Sequence, residues 1–97
     1  MRIIAIKTLK DFWRRYPDSE EHLKSWYKVV KNEDWKTPQE AKKCYGNASI
    51  LKDGRVIFNI AGNKYRLIVW INYSYQVVYI RFIGTHKEYD ETDVQTV

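Results

Sequence analysis

The sequence contains little cysteine and no long hydrophobic run. A single cysteine, Cys44, excludes an intramolecular disulfide and fits a reducing compartment. Only His22 and His86 accompany it, so the spaced ligands of a zinc or iron site are missing. No apolar run approaches the roughly 18–20 residues that span a bilayer, and the apolar stretch at the start is too short for a secretory signal. We therefore expect a cytoplasmic protein that does not enter a membrane and holds no metal.

Aromatic residues and positive charge, by contrast, are abundant. Aromatics form 15% of the 97 residues, too many for a disordered charged tail, so we expect one folded domain over residues 1–97. All 17 Lys and Arg lie in residues 1–89, together with nine acidic residues. Such a basic body suits a polyanion, most often nucleic acid, or an acidic protein. Residues 90–97 carry three acids and no base, and we expect them to form a flexible, solvated tail rather than a cover over a basic groove.

Helical spacing of apolar residues dominates the first half of the chain. Two amphipathic helices are predicted from two sets of residues: Leu9, Phe12, Trp13 and Tyr16, then Leu23, Trp26, Tyr27 and Val30. Pro17 ends the first helix, and Ser19 is predicted to cap the second. Thr37 and Glu40 resemble a capping box, which indicates a short third helix over residues 38–45.

After Gly46 the apolar period changes from 3.6 to 2, which is typical of strands. Three strands are predicted at Arg55–Ile60, Tyr65–Tyr73 and Val77–Thr85. Arg2–Ile6 and Ser49–Leu51 are predicted to add short strands. This order predicts an α+β fold in which the N-terminal helices pack on one face of a mainly antiparallel sheet.

The hairpin loops decide which strand residues face the helices. We predict two-residue loops at Gly62-Asn63 and Tyr75-Gln76. With the loop at Tyr75-Gln76, the apolar residues of all three strands lie on one face of the sheet. A pairing register shifted by one residue would instead bury Arg81 on that face. The other face is then predicted to be basic and aromatic, and open except where a loop or the C-terminal tail folds over it: Arg55, Ile57, Asn59, Arg66, Ile68, Trp70, Asn72, Tyr79, Arg81, Ile83 and Thr85.

The chemistry of this predicted face suits single-stranded RNA. Arg66 is expected opposite Thr85, and Arg81 opposite Trp70, on adjacent strands. Guanidinium groups bind phosphate oxygens, and Trp70 or Tyr79 could stack on a base. The alternative is that each arginine only pairs with a nearby carboxylate on a solvated sheet.

His86 and Tyr89 follow the last predicted strand and supply candidate proton-transfer groups. An unperturbed imidazole gains or loses a proton near neutral pH, and a phenol can donate one. An isolated histidine is ordinarily structural. We expect His22, which lies between Glu21 and Lys24 on a helix, to be a surface residue.

Several of these residues carry a family resemblance. The chain resembles the HigB group of RelE-superfamily toxins in Phe58-Asn59-Ile60, Gly62-Asn63, Tyr65-Arg66-Leu67-Ile68, Tyr79-Ile80-Arg81 and Thr85-His86-Lys87-Glu88-Tyr89-Asp90. The start, from Ile3 to a helix ending in Tyr16-Pro17, is also similar. The resemblance covers nearly the whole chain and is least distinct at about residues 33–51.

The resemblance implies a RelE-like fold and an mRNA interferase that uses no metal or other cofactor. Such enzymes act on messages in the ribosomal A site, beside ribosomal RNA, where the ribose 2′-hydroxyl attacks the adjacent phosphodiester. It implies that Arg66 and Arg81 stabilise phosphate charge, while His86 and Tyr89 share the proton transfers, with base and acid unassigned. It also implies that Lys64 or Lys87 positions the RNA backbone, and the predicted sheet face adds Trp70, Tyr79, Arg55 and Asn59 as candidate RNA-binding residues.

The resemblance also implies a cognate HigA-like antitoxin with a helix-turn-helix domain, so that DNA is contacted only through the complex. Some superfamily relatives have the same fold but poison gyrase without cutting RNA. Two alternatives therefore stay open: a non-catalytic RNA-binding module, and a toxin that acts on a protein. The presence of His86 and Tyr89 favours the nuclease.

Overall fold

Helices and a single mixed sheet account for most of the chain in the computed structural model, which describes residues 1–97. The strands are β1 (Arg2–Ile4), β2 (Ser49–Ile50), β3 (Arg55–Ile60), β4 (Tyr65–Asn72) and β5 (Val77–Thr85). The helices are α1 (Ile6–Arg15), α2 (Glu20–Lys31), α3 (Pro38–Cys44) and α4 (His86–Asp90). The sheet order is β1-β5-β4-β3-β2, with β1 parallel to β5 and all other neighbours antiparallel. This is the predicted α+β class, and no helix could cross a membrane.

The three predicted helices are confirmed, but two of their caps differ from expectation. The predicted Ser19 cap is wrong: its hydroxyl donates to the Tyr16 carbonyl at 2.7 Å, within a 3₁₀ turn that joins α1 to α2. At α3, Thr37 accepts from the Glu40 amide as predicted. The Glu40 carboxylate, however, accepts from the Lys36 amide at 3.2 Å rather than from Thr37.

The core lies between the sheet and the helices α1 and α2. Its fully buried side chains include Leu9, Phe12, Leu23, Trp26 and Val30 from the helices and Val56, Phe58, Leu67, Val69 and Val78 from the sheet. Burial of this apolar surface is the main driving force for folding. The ring of Trp26 packs edge-on against Phe58 with centroids 5.5 Å apart, which sets α2 above β3.

Both hairpin loops have four residues, so the predicted two-residue loops are wrong. Ile60 pairs with Tyr65 in the first hairpin, and Asn72 pairs with Val77 in the second. Side chains shape the second loop, because the Asn72 Oδ1 accepts from the Tyr75 amide at 3.1 Å. A prediction of loop length from the types of turn residues does not include such a contact between a side chain and the backbone.

A β-bulge at Arg81 corrects the predicted register of β5. Val69 pairs with Ile80, but the next residue of β4, Ile68, pairs with Phe82, so Arg81 is the extra residue. Beyond the bulge the faces of β5 are exchanged: Phe82 shares a face with Ile68, whereas Ile83 packs against the core. The expectation that Phe82 and Gly84 face the helices, with Ile83 and Thr85 on the other face, is therefore wrong. The bulge lets Arg81 stay exposed while Ile83 is covered.

The face of the sheet away from the helices is open only in part, because the C-terminal segment folds over some of it. Ile68 is 0% exposed and Ile57 only 5%, although neither faces α1 or α2. Residues 86–97 fold back across this face, and the Arg55 Nη2 and Nε donate to the Val97 backbone oxygen at 3.0 and 3.3 Å. The acidic residues Asp90, Glu91 and Asp93 are exposed, so only the Val97 end of the segment departs from the expected solvated tail. Ile57 and Ile68 form the buried centre of a second, smaller layer.

Gly84 gives a test of how tightly α4 packs on the sheet. A Cβ at this position would lie 2.5 Å from the Phe82 Cζ and 3.1 Å from the Glu88 Cβ. We expect Gly84→Ala to lower the free energy of unfolding by about 1–3 kcal/mol, because the ring and α4 must both move. Urea denaturation measures this. Gly46→Ala is the matched control, since its Cβ would meet nothing within 4 Å, and an equal loss in both variants would contradict the packing.

Candidate functional site

A capping box at the end of β5 begins α4 and places its side chains. The Thr85 hydroxyl accepts from the Glu88 amide at 3.2 Å, and the Glu88 carboxylate accepts from the Thr85 amide at 2.8 Å. The helix α4 was not predicted, although Thr-x-x-Glu is a recognised start signal and stands in the sequence. As a result, both Tyr89 and Asp90 lie about one helical turn after His86, on the same side of α4.

His86 is oriented by a carboxylate on the next turn of α4. Its Nδ1 lies 3.2 Å from the Asp90 Oδ2, and the two side chains are 55% and 60% exposed. A proton on Nδ1 donates to this carboxylate and leaves Nε2 to exchange protons with a bound molecule. The sequence pattern alone indicates no role for Asp90, because its contact with His86 forms only when residues 86–90 are helical.

Arg66 is held between the first hairpin loop and α4. Its Nη1 donates to the Asn63 carbonyl at 2.9 Å, and its guanidinium carbon lies 5.7 Å from the centroid of the Tyr89 ring. This is cation–π distance, so the guanidinium rests against the aromatic ring. Arg66 forms no ion pair with a carboxylate, which leaves its positive charge available to an anion.

Arg81 is exposed on the bulge, away from the position expected for it. The prediction that it lies opposite Trp70 is wrong, because Trp70 pairs with Tyr79. Arg66 likewise pairs with Gly84 instead of Thr85. The structure therefore brings Arg66, Tyr89 and His86 together at the junction of β4, β5 and α4, and it leaves Arg81 as a separate surface cation.

Trp70, Tyr79 and Arg55 form a second group of candidate residues on the same face of the sheet as Arg66. The Trp70 and Tyr79 ring centroids are 5.4 Å apart, and the Trp70 Nε1 donates to the Asp53 carbonyl. The Arg55 side chain is only 14% exposed and also pairs with Asp53 at 2.7 Å. With Val97 bound as well, the Arg55 guanidinium is occupied within the protein.

The remaining candidate RNA-binding residues differ in whether their polar groups are already bound within the protein. Lys64 forms an ion pair with Asp18, while Lys87 is exposed on α4 without an ion-pair partner. The Asn59 Nδ2 makes a long hydrogen bond of 3.4 Å to the Asn47 carbonyl. The histidine on α2, His22, is exposed as predicted.

Asp18 joins the turn after α1 to the first hairpin. Hydrogen bonds from Lys64 and from the Tyr65 hydroxyl hold the pKa of Asp18 below its usual value. The same carboxylate raises the pKa of Lys64. Burial, and then the hydrogen bond to Asp18, raises the pKa of Tyr65. This cluster ties the hairpin that contacts Arg66 to the helical layer.

The match to known proteins covers the elements that build this site. Residues 19–92 match the family model of the HigB toxin, described as the RelE-like toxic component of a toxin-antitoxin system. The chain belongs to the HigB family. The resemblance seen in the sequence is thus confirmed, and the matched segment includes Arg66, Arg81, His86 and Tyr89.

Curated HigB proteins are similar to the chain over nearly its whole length. It is 32% identical over 92 residues to the mRNA interferase toxin HigB of Escherichia coli strain K12, covering 93% of this chain and 88% of that one. It is 30% identical over 93 residues to the mRNA interferase HigB of Escherichia coli O6:H1, covering 94% and 90%. The mRNA interferase HigB of Shigella flexneri is 32% identical over 92 residues.

The lowered pKa of Asp18 predicts a pH-dependent contribution to stability. A carboxylate with a lower pKa in the folded state stabilises fully above its unfolded pKa of about 3.9, and this stabilisation is lost as the pH falls through the folded value. We expect Asp18→Asn to be less stable than wild type at neutral pH and the difference to vanish in acid. Urea denaturation between pH 7 and pH 2 measures this. Asp34→Asn, at an exposed carboxylate without an ion pair, is the control, and a pH-independent difference for Asp18→Asn would contradict the assignment.

Proposed function

We propose that this protein is the toxin of a type II toxin–antitoxin system and an endoribonuclease that cleaves translated messages. Membership in the HigB family and similarity to relatives named mRNA interferase support this function. The observation that carries it is structural: a guanidinium without a carboxylate partner lies against Tyr89, one helical turn from His86. Charge stabilisation and proton transfer are thereby available in one place.

The proposed reaction is attack of the ribose 2′-hydroxyl on the adjacent phosphodiester. A base takes the proton from the 2′ oxygen, the new oxygen–phosphorus bond forms, and the bond to the 5′ oxygen breaks as an acid protonates it. A 2′,3′-cyclic phosphate and a 5′-hydroxyl result. His86 and Tyr89 share the two proton transfers, and Arg66 stabilises the charge that develops on the phosphate.

These side chains perform all the chemical tasks, so the proposed mechanism uses neither a metal ion nor another cofactor. Arg81 and Lys87 supply further positive charge to the RNA backbone, while Trp70 and Tyr79 offer an aromatic pair for base stacking. The basic body would attract ribosomal RNA while the toxin reads a message in the A site.

The proposed partner of the toxin is a HigA-like antitoxin with a helix-turn-helix domain. In this proposal both proteins are cytoplasmic, and DNA is bound through the complex. The strong positive charge of residues 1–89 favours rapid association with an acidic segment of such a partner.

Substitutions at the Arg66 site provide the main test. We expect Arg66→Ala and His86→Ala to reduce cleavage at least about 100-fold, because each removes a group that acts in the transition state. Controlled expression in growing cells, with primer extension on cellular mRNA, measures growth arrest and new 5′ ends within codons. Arg14→Ala, which removes an exposed cation from α1, should cleave like wild type.

Other outcomes of that experiment identify the alternatives. Growth arrest with intact messages would indicate a protein target. Binding to RNA without arrest or cutting, in a soluble folded protein, would indicate a non-catalytic RNA-binding module. Full cleavage by folded Arg66→Ala and His86→Ala would refute the proposed site.

The attacking group can be tested on the substrate. We expect an RNA with a single 2′-deoxynucleotide at the cleaved position to resist cutting there, because the nucleophile is absent. The same RNA with the deoxynucleotide one position downstream is the control and should still be cut. Mapping the products on ribosomes by gel electrophoresis gives the result, and undiminished cutting at the deoxynucleotide would rule out the 2′-hydroxyl mechanism.

A further inference from the structure

A groove of about 290 Å³ lies between α1 and α2, in the helical layer on the opposite side of the sheet from the candidate catalytic site. Five residues line this α1–α2 groove: Ile6, Lys10 and Trp13 of α1, and Lys24 and Tyr27 of α2. None of them has a part in the proposed cleavage reaction. The volume is close to the lower limit of roughly 300 Å³ for sites of drug-sized ligands, so the groove suits a few side chains of a partner.

The floor of the α1–α2 groove is apolar. Ile6, Trp13 and Tyr27 are each half-buried, with one side packed against the core and the rest accessible. Covering this accessible surface with apolar side chains would remove it from water, which favours binding. A groove between two helices accepts the apolar face of a third helix, whose side chains recur about every three to four residues.

Lysine ammonium groups lie around this apolar floor. The Lys24 Nζ is 5.5 Å from the centroid of the Trp13 ring, and the Lys31 Nζ is 5.7 Å from the centroid of the Tyr27 ring. Lys10 and Lys31 form no ion pair, whereas Lys24 has one acidic partner on its own helix. The groove therefore presents positive charge that no carboxylate of the chain neutralises.

The chemistry of the α1–α2 groove favours an acidic protein segment over RNA. An ammonium group already lies over each of its two rings, Trp13 and Tyr27, so these rings do not offer a free face for a base to stack on. No arginine lines the groove, and arginine is the side chain whose planar fork matches a phosphate. Carboxylates beside apolar side chains match both the lysines and the floor.

The acidic C-terminal segment of the chain is not placed to fill the α1–α2 groove. Residues 86–97 cross the other face of the sheet, where the Arg55 guanidinium binds the Val97 backbone oxygen. The helical layer and the sheet therefore separate this segment from the groove. The carboxylates that complement the groove must come from another protein.

We propose that the α1–α2 groove binds an acidic amphipathic helix of the antitoxin. Apolar side chains of that helix contact Trp13 and Tyr27, and its carboxylates pair with Lys10 and Lys31. This inference rests on the proposed function for the existence of an antitoxin, and it assigns the surface that the antitoxin recognises. Because the groove and Arg66 lie on opposite sides of the sheet, the groove can be altered without touching the candidate catalytic groups.

Reversing the charges beside the groove tests the proposal without relying on catalysis. The probe is the purified, full-length HigA-like antitoxin, titrated calorimetrically into toxin that carries His86→Ala so that it can be produced alone. We expect Lys10→Glu with Lys31→Glu to weaken binding about tenfold or more, because two attractive contacts become repulsive. Lys43→Glu with Lys52→Glu changes the net charge equally at exposed lysines outside the groove and should bind like the parent.

The indole N–H resonance of Trp13 tests the contact with the apolar floor and needs no substitution in the groove. We expect saturating antitoxin to shift this resonance, because side chains of the partner lie against the ring. A complex that forms while the Trp13 resonance stays unshifted would overturn the proposal. So would equal weakening by both pairs of substitutions, since net charge alone would then explain it, or undiminished binding by Lys10→Glu with Lys31→Glu.

The outcomes separate this inference from the proposed function. If the wild type cuts RNA but its antitoxin binds Lys10→Glu with Lys31→Glu as tightly as the parent, the groove proposal fails and the nuclease stands. If the wild type cuts no RNA but binds the antitoxin through these lysines, the groove stands and the nuclease fails. If the same pair of substitutions abolishes binding to single-stranded RNA and leaves antitoxin binding intact, the groove serves nucleic acid and the proposal is refuted.

Discussion

The burial of Ile68 on the face away from α1 and α2 determines where the candidate catalytic groups lie. Ile57 and Phe82 flank it on neighbouring strands, so the centre of this face is apolar and must be covered. Residues 86–97 provide the cover. In crossing the sheet they set the Tyr89 ring against Arg66 and end at Arg55. The site is thus built by the same contacts that complete the second layer of the fold.

The elements that could be predicted are those determined by local pattern. The helices and the three long strands follow from periods of 3.6 and 2, and their ends agree with the structure to within one or two residues. The hairpin loops and the bulge at Arg81 could not be obtained in this way. A continuous register keeps Phe82 on the helix side, but the bulge leaves Arg81 exposed and exchanges the faces of the residues after it, so that Ile83 packs against the core.

Residue chemistry and family resemblance indicate the members of the candidate site but not their arrangement in space. Arg66, His86 and Tyr89 were identified from residue chemistry and family resemblance, whereas their proximity depends on α4, whose Thr85 and Glu88 start signal was not used. The binding of Arg55 to Val97 joins residues 42 positions apart, which no local pattern indicates.

Ion pairing within the covered face determines which cations remain for RNA. Arg55 is neutralised by Asp53 and bound by the tail, and Lys64 is paired with Asp18. Arg66 and Lys87 form no ion pair and lie where β5 ends and α4 begins, whereas Arg81, also without an ion pair, is exposed on the bulge. Free positive charge on this part of the protein is therefore concentrated beside His86 and Tyr89. Arg66 remains without an ion pair because residues 86–97 place the Tyr89 ring against it in the position that a carboxylate could occupy, so in the proposed reaction its charge is available to the RNA phosphate.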